Sequence, residues 1–216
     1  MRTAFRTREE AGRCLAEKLT AYASRHPVVY ALPRGGVPVG AEIARALHAP
    51  LDLLFVRKIG LPWQPELAYA AVVDGNPPET VINEEVARYE PLSARELDEA
   101  VQRELAEIER RRKLYLTGRP PIDVNGRAAI VVDDGLATGT TARAALRSLR
   151  RRKPSSLVLA VPVAPHSTVR ELSPLVDELV CLAMPEPFDA IGLHYVDFHQ
   201  LSDDEVIELL ETVDGG

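Results

Sequence analysis

The 216-residue sequence lacks several features that would each assign it to a particular class of protein. Its two cysteines, Cys14 and Cys181, are far apart, which excludes a disulfide framework and the close ligand spacing of a zinc site. No apolar run approaches the roughly 20 residues that a membrane-spanning helix needs. The first ten residues are polar and contain no apolar signal-peptide core, so we expect a cytoplasmic chain without a membrane partner.

Positive charge is also in short supply. The chain has 32 Asp and Glu residues against 26 Lys and Arg residues, which gives a net charge of −6. Nucleic-acid binding depends on an excess of cations near phosphates, so the composition argues against nucleic acid as a partner. Two basic runs remain, at 110–113 and 150–153, and each ends a predicted helix, where cations complement the helix dipole.

The most informative motif in the sequence is a predicted strand–loop–helix unit at 128–149. The apolar run Ala128–Val132 predicts a buried strand, and it ends in Asp133 and Asp134 before a loop of small residues and a helical pattern. Such a loop aims backbone N–H groups and hydroxyls at one point, which favours a phosphate. Carboxylates beside it are suited to a vicinal diol, so a ribose 5-phosphate fits both halves.

This loop lacks the motifs of the common nucleotide-binding folds. No Lys follows Gly139, the GxxxxGK[ST] spacing is absent, and GxGxxG is absent too. The stretch VVDDGLATGTT instead resembles the phosphoribosyl-pyrophosphate (PRPP) signature of type I phosphoribosyltransferases. The alternative is a strand–turn–helix whose aspartates only cap the helix. The resemblance implies that Asp133 and Asp134 bind the ribose hydroxyls and that the 5-phosphate is bound by Ala137, Thr138, Gly139, Thr140 and Thr141.

A second strand–loop–helix unit lies earlier in the chain. The strand is predicted at Val28–Leu32 and the helix at Val37–Leu47, with the sequence PRGG between them. This loop resembles the short pyrophosphate loop of the same family, which implies a cis peptide bond between Arg34 and Gly35. A glycine pair in an ordinary turn is the alternative. The resemblance assigns pyrophosphate binding to Arg34, Gly35 and Gly36.

Two cationic residues, Arg57 and Lys58, follow a third predicted strand, Leu51–Val56. Many members of the family have a basic residue here that approaches the pyrophosphate, and we assign this role to Lys58 rather than Arg57; solvated charge is the alternative. The family also has a mobile loop that closes over the site. We place this lid at Ile59–Glu66, before a strand at 67–73.

Two segments extend the predicted sheet. Residues 83–118 form a helical insertion, which would shape the site or build a homo-oligomer interface. Residues 184–200 form a small C-terminal hood, which is rich in aromatics although the chain as a whole is not. In the purine-salvage branch of the family a similar segment holds the base, which implies stacking by Phe188 and an Asp197 that faces the pyrophosphate. Core aromatics beneath a loop are the alternative.

The alternation of strands and helices predicts one α/β domain over 1–216, with a parallel sheet of about five strands and helices on both faces. The resemblance implies transfer of the 5-phosphoribosyl group from PRPP to an acceptor, predicted to be a nucleobase, with release of pyrophosphate. Mg²⁺ is expected to arrive mainly through PRPP. The resemblance assigns catalysis to Arg34, Lys58, Asp133 and Asp134.

One position departs from part of the family. Ala137 stands where 6-oxopurine enzymes commonly have an aspartate that handles the base proton, and an alanine cannot do so. Glu66 or Asp197 would have to supply that function. Adenine- and orotate-type members also carry a small residue there. Activity is thus not excluded by Ala137, and a PRPP-sensing regulator on the same fold without turnover is the second hypothesis.

Overall fold

A five-stranded parallel sheet forms the centre of the computed structural model, which describes residues 5–75 and 77–214, without the side chains of Glu66 and Asp214. Every neighbouring pair of strands in this sheet is parallel. The predicted α/β fold with about five parallel strands is therefore confirmed. In spatial order the strands are β2 (Leu51–Leu53), β1 (Val28–Ala31), β6 (Ala128–Val132), β7 (Ser156–Val163) and β8 (Glu178–Ala183).

Helices cover both faces of this sheet. The strands β1, β6 and β7 are buried along their whole length, as expected of parallel strands between two helical layers. Successive residues of β6 point to opposite faces, so Ile130 and Val132 pack on one side and Val131 on the other. One layer contains α1 (Arg8–Leu19) and α2 (Gly36–Leu47), and the other contains α5 (Thr140–Arg151) and α6 (His166–Leu172).

A separate antiparallel sheet follows β2, and it corrects the predicted third strand. Its strands are β3 (Val56–Leu61), β4 (Gln64–Val73) and β5 (Glu79–Ile82), in that spatial order. The prediction of one strand over Leu51–Val56 was wrong, because the chain leaves the parallel sheet after Leu53 and pairs Val56 with Val73. An unbroken apolar run does not reveal where a strand changes partner.

The predicted lid segment, Ile59–Glu66, lies at the tip of this antiparallel sheet. It contains the end of β3, a turn at Pro62 and Trp63, and the start of β4. The segment is thus a β-hairpin rather than an irregular loop. Its closure over the site stays a prediction.

The helical insertion contains α3 (Glu84–Tyr89) and α4 (Ala94–Tyr115), within the predicted bounds of 83–118. Ser93 and Glu96 form a capping box at the start of α4. At the other end Tyr115 stacks on Phe55, with ring centroids 6.1 Å apart. The last helix, α7 (Asp203–Asp214), packs on α2 and α4.

The hood, residues 184–200, is joined to the beginning of the described chain. Phe5 forms an isolated parallel bridge with Tyr195, and Val196 and Asp197 donate backbone hydrogen bonds to the carbonyls of Phe5 and Arg6. We call residues 5–8 the N-terminal clasp. Among the described helices, none is both long and apolar enough to cross a membrane.

Candidate active site

The two aspartates of the central motif follow β6 at the carboxyl edge of the parallel sheet. The loop after them is fixed to β7 and α6: Leu136 N–H donates to the Val163 carbonyl at 2.9 Å, and the Thr168 hydroxyl donates to the Ala137 carbonyl at 2.6 Å. Gly139 then adopts a positive φ of 68° and begins α5. This edge is where open α/β sheets bind ligands.

The PRGG loop lies directly against this pair. A Cβ on Gly35 would overlap Asp134 Oδ2, and one on Gly36 would lie 2.7 Å from the Val132 carbonyl oxygen. Glycine is therefore required at both positions by close approach rather than by backbone angle. The cis peptide bond is between Pro33 and Arg34, not between Arg34 and Gly35 as predicted; the sequence contains no signal that separates these two bonds.

A cavity of about 320 Å³ opens between the PRGG loop, Asp134 and the hood. Arg34, Gly35 and Asp134 line it, so residues predicted from two distant motifs meet at one cavity. The backbone of β1 and β6 brings them together, because the two strands are hydrogen-bonded neighbours that end at the same edge. His199 and Gln200 of the hood complete the wall.

Arg8 also lines this cavity, and the sequence analysis missed it. Its Nε donates to Asp134 Oδ2 at 2.8 Å, its Nη1 donates to the His199 carbonyl at 3.0 Å, and its guanidinium lies 3.9 Å from the centre of the Phe198 ring. The residue is only 7% exposed. A signal existed in the sequence, because a cation in the first turn of a helix opposes the dipole and is disfavoured there.

The electrostatics of the aspartate pair follow from burial and mutual proximity. Burial and the charge of Asp134 raise the pKa of Asp133 well above its ordinary value. Burial also raises the pKa of Asp134, and the ion pair with Arg8 offsets part of that increase. The Tyr195 hydroxyl of the hood donates to the Asp134 backbone carbonyl at 2.6 Å, and this bond ties the backbone of Asp134 to the hood. Such a pair favours ligands that supply hydroxyl donors.

The hydroxyls of the central loop border a second, larger cleft. Thr138 and Thr140 lie 3.1 Å apart, oxygen to oxygen, and both face a space of about 540 Å³ between α5 and the antiparallel sheet. Arg143 lies on the same wall and pairs with Glu171 at 2.8 Å. The loop thus separates two open volumes, with the carboxylate side facing one and the hydroxyl side facing the other.

Arg34 has a charged neighbour of its own. Its Nη1 lies 3.6 Å from Asp203 Oδ1 at the start of α7, and the Tyr115 hydroxyl donates a hydrogen bond to the same carboxylate oxygen. The end of the helical insertion and the start of the last helix therefore contact the PRGG loop through one acidic residue.

Several predicted residues do not line the 320 Å³ cavity: Asp133, Gly36 and Asp197 lie next to lining residues in the chain, and Lys58 and Phe188 lie elsewhere. Lys58 is exposed on β3, whereas its neighbour Arg57 pairs with Glu104 at 2.8 Å. Phe188 stacks on His194, with centroids 5.3 Å apart, and Asp197 bonds to His199 Nδ1 at 3.0 Å. Their assigned roles stay predictions. Glu66, the other candidate for proton handling, has a side chain outside the described part of the chain.

Comparison with known proteins identifies the family of this chain. The family model described as "Phosphoribosyl transferase domain" matches residues 6–195, so the chain belongs to that family. The match includes the central motif, the PRGG loop and Arg8.

Two relatives illustrate the similarity. The chain is 45% identical over 207 residues to Rv0571c of Mycobacterium tuberculosis, a protein provisionally named a phosphoribosyl transferase. That alignment covers 96% of this chain but 46% of the relative, so the chain spans about half the length of the curated relatives it matches. The crystal structure of TT1426 from Thermus thermophilus is 39% identical, with a TM-score of 0.84 and 97% and 98% of the two chains covered.

Proposed function

We propose that this chain is an enzyme that transfers the 5-phosphoribosyl group from PRPP to a nucleobase and releases pyrophosphate. The observation that carries the proposal is the meeting of Asp134 and Arg34 at one cavity, with the hydroxyl-bearing loop beginning at the next residue. A phosphate loop, a diol site and a cationic loop match the 5-phosphate, the ribose and the pyrophosphate of PRPP. Membership of the phosphoribosyl transferase domain family supports the reaction class.

Each group has a distinct task in this proposal. Asp133 and Asp134 accept hydrogen bonds from the ribose hydroxyls, and the N–H groups and hydroxyls at 137–141 bind the 5-phosphate. Arg34 and the Gly35–Gly36 backbone bind the pyrophosphate, and Lys58 approaches it when the hairpin closes. The bond from the anomeric carbon to pyrophosphate breaks, a bond to an acceptor nitrogen forms, and the acceptor loses a proton. The protein contributes position and charge stabilisation.

Mg²⁺ fits this proposal as a companion of the substrate. Within residues 5–75 and 77–214 there is no group of three or more metal-ligating side chains. Mg²⁺ prefers oxygen ligands and is commonly held through substrate phosphates with one or two protein carboxylates. When bound, it would neutralise charge on the pyrophosphate.

Another residue must take the proton that the acceptor loses, because Ala137 carries no carboxylate. Asp197 and His199 form a hydrogen-bonded acid–base pair in the hood, and His199 lines the cavity. Asp197 and Glu205 raise the pKa of His199. We therefore assign proton handling to this pair rather than to Asp197 alone.

A PRPP-sensing regulator remains the second candidate. The observation in its favour is that Phe188, expected to stack on a base, stacks on His194 instead. A site that binds the donor but lacks a free platform for the acceptor would sense PRPP without turnover.

The deciding experiment is pyrophosphate release from PRPP and Mg²⁺ in the presence of individual purine and pyrimidine bases. Release with one base or one class of base is the expected result. Calorimetric binding of PRPP without release for any base would favour the regulator. Absence of both binding and release would overturn the assignment of the site. The matched control is the double variant Asp133→Asn/Asp134→Asn, which should lose release and retain its circular-dichroism spectrum.

A further inference from the structure

We infer that Arg8 is a positioning residue of the site, which holds the Asp134 carboxylate in place for the ribose and joins the hood to it. The inference rests on the proposed function, because it concerns the same carboxylate. It adds a residue that lies 126 positions before Asp134 in the chain and outside both sequence motifs.

One oxygen of the Asp134 carboxylate is held by the protein itself. Oδ2 accepts the hydrogen bond from Arg8 Nε at 2.8 Å, and the backbone of Gly35 approaches that same oxygen from the PRGG loop. The Asp134 side chain is 11% exposed, and that of Arg8 is 8% exposed. The carboxylate is thus held between a cation and a glycine, and we expect a ribose hydroxyl to bind through Oδ1, because Oδ2 is already bonded to Arg8.

Arg8 uses its other groups to contact the hood. Nη1 donates to the His199 carbonyl, and the guanidinium plane lies over Phe198. The planar fork of arginine can satisfy a carboxylate, a carbonyl and an aromatic face together, and lysine cannot. The clasp adds backbone bonds from Val196 to Phe5 and from Asp197 to Arg6, immediately before this contact.

Charge explains why such a residue is needed. Two adjacent carboxylates repel each other in a poorly solvated place, and the repulsion would turn one of them away or protonate it. Arg8 supplies the nearest opposite charge. Arg34 also lines the cavity but pairs with Asp203, and the Tyr195 hydroxyl is bonded to the Asp134 carbonyl rather than to its carboxylate.

The test is a set of variants assayed for PRPP affinity in Mg²⁺ by calorimetry, with melting temperature measured in parallel. We expect Arg8→Gln to weaken PRPP binding about tenfold. Arg8→Lys should recover part of that loss, because it keeps the charge but not the fork. Arg13→Gln is the matched control: it removes an exposed arginine of the same helix that pairs with Glu42 at 3.4 Å, and affinity should be unchanged.

A double-mutant cycle separates positioning from general support of the fold. If Arg8 acts through Asp134, the variant Arg8→Gln/Asp134→Asn should bind PRPP no more weakly than Asp134→Asn, within about twofold. This double variant removes both charges of the Arg8–Asp134 ion pair, so it does not leave the Asp134 carboxylate without its cation, and its comparison with Asp134→Asn stays valid even if Arg8→Gln alone fails to fold. Additive losses in the cycle, or wild-type affinity in Arg8→Gln with only a lower melting temperature, would overturn the inference. Wild-type protein that does not bind PRPP would instead overturn the proposed function, and the inference with it.

Discussion

Asp203 pairs with Arg34 across a distance of 3.6 Å, so an acidic residue of the last helix contacts the cation of the PRGG loop. Both side chains are partly exposed, and the same carboxylate accepts the hydroxyl of Tyr115. A bound pyrophosphate would have to compete with this carboxylate for Arg34.

Asp203→Asn should therefore strengthen pyrophosphate binding. An exposed ion pair of this kind contributes about 0.2–1 kcal/mol, so we expect affinity to rise by up to about fivefold. Calorimetry with pyrophosphate and Mg²⁺ measures it. Asp204→Asn, at the exposed neighbouring position, is the control and should leave affinity unchanged. Weaker binding in Asp203→Asn would mean that the carboxylate orients Arg34 rather than competing for it.

Asp133→Asn should increase stability while it impairs binding. Because the pKa of Asp133 is raised in the folded state, the folded protein holds more protons than the unfolded chain above the ordinary carboxyl pKa. Stability contributed by this residue is thus lost as pH rises from that value through the raised pKa. Asparagine removes the loss, and a gain on the order of 1 kcal/mol corresponds to about 2–4 °C in melting temperature at pH 7.

Melting curves from pH 4 to pH 8 test this prediction, with Asp98→Asn on the exposed face of α4 as the control. The difference between Asp133→Asn and wild type should grow with pH and vanish at the acid end. PRPP affinity should fall by roughly 10- to 100-fold, since charge-assisted hydrogen bonds to the ribose are lost. A variant less stable than wild type at pH 7 would contradict the raised pKa.

Lys58 and Arg57 provide a matched pair for the pyrophosphate assignment. Arg57 is paired with Glu104, whereas Lys58 is exposed and has no ion pair among the described residues. We expect Lys58→Gln to lower kcat/KM for PRPP by roughly 10- to 100-fold and Arg57→Gln to affect mainly stability. Steady-state kinetics of both variants decide it. Equal activity of Lys58→Gln and wild type would show that Lys58 is a solvated surface charge without a role in pyrophosphate binding.

Gly35→Ala should damage the fold and the site together. The added methyl group would overlap Asp134 Oδ2, so the PRGG loop or the carboxylate must move. Overpacking of this kind costs about 1–3 kcal/mol. Thermal melting and PRPP titration should both report the change. Gly118→Ala is the control: its methyl group meets no atom within 4 Å but sits at a left-handed φ of 74°, so it should lower the melting temperature and leave PRPP affinity unchanged.

The sequence was sufficient for the parts of this site that depend on local pattern. Buried apolar runs predicted the parallel sheet, and they placed Asp133, Asp134 and Arg34 near the ends of strands; the roles of these residues came from the family resemblance and stay predictions. The sequence signal for Arg8, a cation in the first turn of a helix, marks the residue as unusual but does not name its partner, which lies 126 residues away. The end of β2 was misplaced because Leu54 and Phe55 stay buried while the backbone changes from one sheet to another. The spacing of residues in the sequence also does not predict side-chain packing within the hood, such as that of Phe188 on His194.

The hairpin turn between β3 and β4 carries Trp63, which is 60% exposed and is the single tryptophan of the chain. Its indole emission is therefore an intrinsic optical reporter located on the segment predicted to close over the site. A blue shift on addition of PRPP and Mg²⁺ would follow that closure in real time in the unlabelled, unmutated protein. Stopped-flow fluorescence could then separate the rate of closure from the rate of pyrophosphate release.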